Sequence, residues 1–263
     1  MIIYKTEKEI QAMRKSSQVV AKILSELKKM IKPGIKTKEL DCYAESRAKE
    51  LGAMPAFKGY RGYPASLCVS LNNEVIHGIP SNREIRRGDI VSLDFGVLYD
   101  GFFGDAALTI PVGEVSEEAM HLIRTGEMAF FEGIKKMRVG NRLSDISHAI
   151  QKSVESQGFS VIRNFVGHGI GFSLHEDPQL PNFGPPGQGP KLRAGLVLAI
   201  EPMIAAGRWE VKVLEDNWTA VTADGRLSAH YEHTVALTEK EIIILSQLEK
   251  EEALLKEKGV QYA

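Results

Sequence analysis

The chain has 263 residues with 43% apolar and 25% charged, and 33 Lys+Arg face 34 Asp+Glu for a formal net charge of −1. Those fractions are globular averages, so wholesale disorder is excluded, and the length can bury a substantial core. The balanced charge gives no electrostatic reason for a nucleic-acid partner or an anionic membrane surface, and no apolar run is long enough to span a bilayer.

Thr6 with Glu9 forms a capping box ahead of Ile10, Met13, Val20, Ile23, Leu24 and Leu27 at helical spacing, predicting a helix that stops near Lys32, before Pro33-Gly34. Thr37 is expected to cap a second helix that ends at Gly52. Extended segments follow at Ser66–Leu71, Ile90–Leu98 and Phe102–Ile110, the last two joined by an Asp100-Gly101 turn. Ser116 starts a helix reaching about Met137, and Ser144 is expected to cap another that ends at Gly158. The remainder reads mostly as strand: Ser160–Phe165, Leu196–Ile200, Trp209–Leu214, Trp218–Thr222, Tyr231–Leu237 and Glu241–Leu245. Asn182–Pro190, rich in Gly and Pro, reads as a surface loop, and Leu248–Lys258 as a short solvated helix within a tail over 249–263. The N-terminus MIIYKTEKEI lacks a secretory signal, and Cys42 with Cys68 makes a poor disulfide framework, so a cytoplasmic location is expected.

The chain also resembles itself. Gly34 and Gly52 bracket the second helix 18 residues apart, as Gly140 and Gly158 bracket the fourth, at an offset of 106. GDIVSLD, ending at Asp94, reads like GLVLAIE, ending at Glu201, at an offset of 107. Two matches at nearly one offset point to an α/β (α+β) domain over 1–248. Its halves, about 1–112 and 113–248, would each lay helices before a carboxylate-bearing strand around a pseudo-twofold axis.

Asp94 and Asp105 interrupt apolar strands, where a charge is costly unless paired or metal-bound. With a two-residue turn at Asp100-Gly101, Asp94 opposes Ala107 and Asp105 opposes Gly96. Both aspartates then share a face as diagonal neighbours roughly 7–8 Å apart. A three-residue loop without a bulge would separate them. Glu201 ends the LVLAI strand, Glu232 shares a face with Thr234 and Ala236, and His168 lies among three glycines that permit close backbone approach. Four carboxylates and one imidazole could carry −4, which two divalent cations would neutralise; oxygen-rich ligation with one nitrogen suits Mn²⁺, Fe²⁺ or Co²⁺. Two such ions about 3.5–4 Å apart are a hydrolytic device that acidifies a shared water.

Six segments in order, NNEVIHGIP (72–80), DFG (94–96) with DGFFGD (100–105), GHGIG (167–171), HEDP (175–178), IEPM (200–203) and YEHT (231–234), resemble the type I methionine aminopeptidases of the bacterial kind. The likeness runs from about residue 4 to 245. It implies the duplicated pita-bread fold around a central antiparallel sheet, and a monomeric hydrolase that removes N-terminal methionine from nascent chains and peptides before a small second residue. It implies Asp105 and Glu232 bridging two metal ions (Co²⁺, Mn²⁺, Fe²⁺ or Zn²⁺), His168 and Glu201 on one ion, and Asp94 on the other. Glu201 would shuttle the proton, while His77 and His175 touch substrate and His175 steadies the carbonyl oxygen. The methionine pocket would draw on Tyr60, Tyr63, Cys68 and Trp218, and a monovalent cation (Na⁺ or K⁺) would sit near Asn72 and Ser228. Transient ribosome contact goes with that activity. Leu174 departs from the pattern, standing where many members carry Phe. Competing expectations are a Xaa-Pro aminopeptidase-like enzyme, which usually carries a large N-terminal domain, and a metal-free pita-bread protein that binds peptides, whose kind have lost ligands.

Overall fold

The computed structural model describes residues 1–248, so the expected tail helix lies outside the described residues. Helix α1 (Glu7–Met30) begins where the capping box places it, with the Thr6 hydroxyl accepting from the Glu9 amide and the Glu9 carboxylate accepting from the Thr6 amide. Glu7 and Glu9 in its first turn and Lys28 and Lys29 in its last complement the helix dipole. Helix α2 (Thr37–Glu50) and helix α4 (Leu143–Ser156) each have 14 residues, and α3 (Glu117–Ile134) is capped by Ser116 as predicted.

The expected caps of α2 and α4 are wrong in the same way. Lys36 and Arg142 occupy the cap positions, and their amides donate to Glu39 Oε1 (3.1 Å) and Asp145 Oδ2 (2.8 Å). The Thr37 hydroxyl instead accepts from the Ser81 amide (2.8 Å), and the Ser144 hydroxyl from the Gln188 amide (2.7 Å). Both hydroxyls are taken by a distant loop rather than by their own helix. Thr37 and Ser144, and Ser81 and Gln188, are each 107 residues apart, the offset of the two carboxylate-bearing segments.

A nine-stranded sheet forms the centre, entirely antiparallel. From edge to edge it runs Met54–Pro55, Ile90–Tyr99, Phe102–Pro111, Glu232–Leu237, Val197–Ile200, Gly167–Gly169 and Glu176–Leu180. Cys68–Leu71 adds to Ile90–Tyr99, and Ile242–Ile244 to Glu232–Leu237. Several predicted strands shrink: Ser160–Phe165 keeps only Ser160–Val161, and Trp209–Leu214 only Val211–Val213. The short strands Glu74–Ile76, Met203–Ala205 and Ser228–His230, which complete two three-stranded side sheets with Ser160–Val161, Val211–Val213 and Ala220–Thr222, were not anticipated.

One apolar cluster gathers residues between Val20 and Val112 under α1 and α2, and a second gathers mainly residues between Ala119 and Ile244 under α3 and α4. A third, smaller cluster draws Met13, Tyr63, Cys68, Ile170, Leu174 and Ala199 from both ends of the chain. It floors the cavity described next. No helix among the described residues is long and apolar enough to cross a membrane.

Candidate active site

The Asp100-Gly101 turn has two residues at positive φ (50° and 80°), the backbone of a tight hairpin turn matched to strand twist. Tyr99 therefore opposes Phe102, and the expected register follows: Asp94 faces Ala107, and Asp105 faces Gly96. Ala107 also pairs with Glu232 on the next strand, so Asp94, Ala107 and Glu232 form one row across the sheet. Residue parity puts Asp105 on that same face. Beyond Asp105, Thr234 exchanges hydrogen bonds with its backbone (3.1 and 2.8 Å), Ala199 pairs with Thr234, and His168 pairs with Ala199. Two adjacent rows thus carry Asp94 and Glu232, and Asp105 and His168. Small residues stand between them: Ala107, Ala199 and Gly96, where a Cβ would sit 3.2 Å from Asp105 Oδ1.

His168 reaches this face because its strand lies unusually close to its neighbours. A Cβ on Gly167 would come within 2.5 Å of the Ala199 carbonyl, and one on Gly169 within 2.2 Å of the Asp177 carbonyl. Only glycine fits either side of the histidine. Its Nδ1 lies 2.9 Å from the Gly169 carbonyl, which can only accept, so Nδ1 carries the proton and Nε2 presents a lone pair. That Nε2 is 3.5 Å from Glu201 Oε1. Ligand atoms of Asp105, His168 and Glu232 all lie within 4.8 Å of one another.

Asp94, Asp105, Glu201 and Glu232 are all buried. Burial pushes the Asp94 carboxyl up to about 7, against the opposing hydrogen bond from Cys68. Burial, then the neighbouring carboxylates, raise Asp105, Glu201 and Glu232 well above their usual range. Burial lowers His168 to about 3, leaving it neutral at physiological pH. Asp94 Oδ1 and Asp105 Oδ1 are buried without a hydrogen-bond partner. Uncompensated carboxylates packed beside a neutral imidazole are the donor set a hard or borderline divalent cation requires, so the residues fit a metal.

These five groups line one side of a cavity of about 350 Å³. Tyr60, Tyr63, Cys68, His77, Leu174, His175 and Trp218 also line it, with Arg61, Asn164 and Gln179 among the other lining residues. His175 packs between Tyr60 (ring centroids 5.2 Å) and His168 (4.2 Å), with Nδ1 2.8 Å from the Tyr60 hydroxyl. His77, at a strained φ of 61°, sits against Phe165 and Trp218. Burial lowers both histidines to about 4. Tyr63 meets Trp218 edge-on at 5.1 Å, and burial raises the Cys68 thiol. Asn72 and Ser228 lie together away from this cavity's lining, the Ser228 amide donating to the Asn72 carbonyl at 2.8 Å. Sequence reasoning passed over His230. It is buried with Nε2 3.7 Å from Glu201 Oε2, and only its place two residues before Glu232 hinted at that.

Residues 11–239 match the model of metallopeptidase family M24. Methionine aminopeptidase of Clostridium perfringens is 59% identical over 90% of this chain and 95% of its own length; methionine aminopeptidase 1 of Bacillus subtilis is 52% identical over 94% and 100%. The crystal structure of the Thermotoga maritima methionine aminopeptidase superposes with a TM-score of 0.93 at 48% identity, covering 94% of this chain and 100% of that one. Prolidase from Pyrococcus furiosus, at 23% identity and a TM-score of 0.77 over 94% of this chain and 66% of its own, shares the fold. The chain therefore belongs to metallopeptidase family M24, among its methionine aminopeptidases.

Proposed function

We propose that this chain removes the N-terminal methionine from peptides and nascent proteins, preferring a small second residue, with two divalent cations held by Asp94, Asp105, His168, Glu201 and Glu232. The observation that carries the reading is the convergence of buried carboxylates and His168, with an unpartnered oxygen on each of Asp94 and Asp105, in the lining of a cavity that also holds Tyr60, Tyr63, Leu174 and Trp218. When bound, the cations supply Lewis acidity, polarising the scissile carbonyl and acidifying the attacking water.

The protein's own groups supply the rest. Asp105 and Glu232, on neighbouring strands, would be shared by both ions, with His168 and Glu201 holding one and Asp94 the other. Glu201, in the cavity lining beside the other donors, takes the proton from the water and returns it to the leaving amine. The Tyr60 hydroxyl, donating to His175 Nδ1, leaves an Nε2–H free to stabilise negative charge on the carbonyl oxygen. His77, neutral and braced by Trp218, contacts the substrate backbone. An unbranched thioether fits a slot whose walls are Tyr63, Cys68, Leu174 and Trp218, since sulfur is well placed at aromatic edges. The same reading takes a Na⁺ or K⁺ ion near Asn72 and Ser228, and a monomer acting in the cytoplasm with transient ribosome contact.

Release of methionine from Met-Ala-Ser tests it. Activity should vanish after EDTA treatment and dialysis and return with Mn²⁺ or Co²⁺, and Met-Leu-Ser should be a poor substrate. Full turnover by the metal-stripped protein would refute the reading.

A further inference from the structure

His230 is a buried imidazole beside the cavity that the mechanism above leaves without a task. It is 1% exposed and ends the Ser228–His230 strand, where it pairs with Met203. Its backbone is fixed from the other side as well. The amide donates to Thr109 Oγ1 (2.9 Å), and the same hydroxyl donates to the His230 carbonyl (2.8 Å). The ring is shut away from water, yet neither ring nitrogen has a hydrogen-bond partner among the described residues. A buried polar group left unpaired keeps its desolvation cost with nothing to offset it, so an aliphatic side chain would be cheaper here unless the ring has work to do.

Its surroundings identify that work. Nε2 lies 3.7 Å from Glu201 Oε2 and 4.0 Å from Glu232 Oε2. The other oxygen of Glu201, Oε1, faces His168 Nε2 at 3.5 Å. The Glu201 carboxylate thus stands between two histidines, one oxygen toward each. Ionised carboxylates only accept, so the tautomer compatible with both neighbours carries its hydrogen on Nε2. At 3.7 and 4.0 Å both gaps exceed a hydrogen bond, so a glutamate has to turn toward the ring to close one.

We propose that His230 is a positioning residue for the metal centre: its Nε2–H holds Oε2 of Glu201, keeping Oε1 turned toward the His168 side, and steadies Glu232 from the same nitrogen. Donors behind metal-ligating carboxylates fix their rotation, and losing one typically costs 10–100-fold in metal affinity or activity. The inference rests on the metallopeptidase reading of the five-residue set.

The test compares wild type with His230→Phe, which keeps a ring without the donor, and His230→Gln, which keeps an N–H. Calorimetric titration of each metal-stripped protein with Mn²⁺ is read beside kcat and KM on Met-Ala-Ser. His230→Phe should bind Mn²⁺ about 10–100-fold more weakly and lose kcat with KM little changed, while His230→Gln recovers most of both. A folded His230→Phe that binds Mn²⁺ and turns over like wild type would overturn the proposal, as would equal losses in the two variants. Should His230→Phe fail to fold, His230→Met replaces it against the glutamine. Wild-type protein that binds Mn²⁺ without releasing methionine would refute the aminopeptidase reading alone, because the binding comparison does not depend on turnover.

Discussion

Asp94→Asn in metal-stripped protein asks whether the carboxylate cluster is a liability until a cation arrives. Burial moves the Asp94 carboxyl from 3.8 to about 7. That difference corresponds to about 4 kcal/mol. The folded pKa lies above the unfolded one, so below about pH 4 both states hold the proton and nothing is lost. As pH rises toward 7, the unfolded chain releases a proton that the fold retains, and stability falls. Above 7 the full cost applies. Buried histidines act in the opposite direction: His168 and His230, lowered to about 3 by burial, cost stability as pH falls below 6.5. Subtracting the variant from wild type removes that background. In EDTA, the two proteins should melt alike near pH 4. Asp94→Asn should gain toward pH 8 by about 4 kcal/mol, or roughly 8–16 °C for a domain of this size. Removing Asp94 also relieves Asp105, Glu201 and Glu232, which adds to the gain. Saturating Mn²⁺ should reverse the order, because ligand binding stabilises the protein that keeps its full donor set. Thermal unfolding by circular dichroism at pH 4 to 8, with and without Mn²⁺, measures all of this. A wild-type-minus-variant difference that stays flat with pH would refute the argument.

Glu201→Gln should keep the fold and part of its metal binding while kcat drops about 10²–10⁴-fold, since proton transfer is lost; near-normal turnover would remove Glu201 as the shuttle. Leu174→Phe should change selectivity among N-terminal side chains more than Mn²⁺ affinity, and unchanged ratios of kcat/KM across a Met, Leu and norleucine panel would exclude Leu174 from the pocket. Gly169→Ala places a Cβ 2.2 Å from the Asp177 carbonyl. Forcing that space should cost about 1–3 kcal/mol and displace His168, read as a lower melting temperature together with weaker Mn²⁺ binding. Loss of neither would show that the strand tolerates spreading.

Where residues interact locally, the sequence was legible. The α1 cap depends on Thr6 and Glu9, three positions apart, and the hairpin register on the two residues Asp100 and Gly101. That register alone placed Asp94 and Asp105 on one face. Thr37 and Ser144 misled because each has two possible partners, and the nearer one lost to a loop more than forty residues away. The strand that carries His168 was not legible: a three-residue strand made mostly of glycine has no alternation to read, and the Ala199 and Asp177 carbonyls that press on its glycines are distant in sequence. His230 escaped notice because the chain changes sheet at Tyr231, so its parity relative to Glu232 says nothing about which way the ring points.

The pairing of Phe102–Pro111 with Glu232–Leu237 has a consequence for assembly. Asp94 and Asp105 precede this seam in the chain, and His168, Glu201 and Glu232 follow it, so neither side alone owns a complete set of donors. The proposed pair of cations, shared among the five, would work as a clasp across the seam, and ion uptake during refolding would report the moment the two sides close.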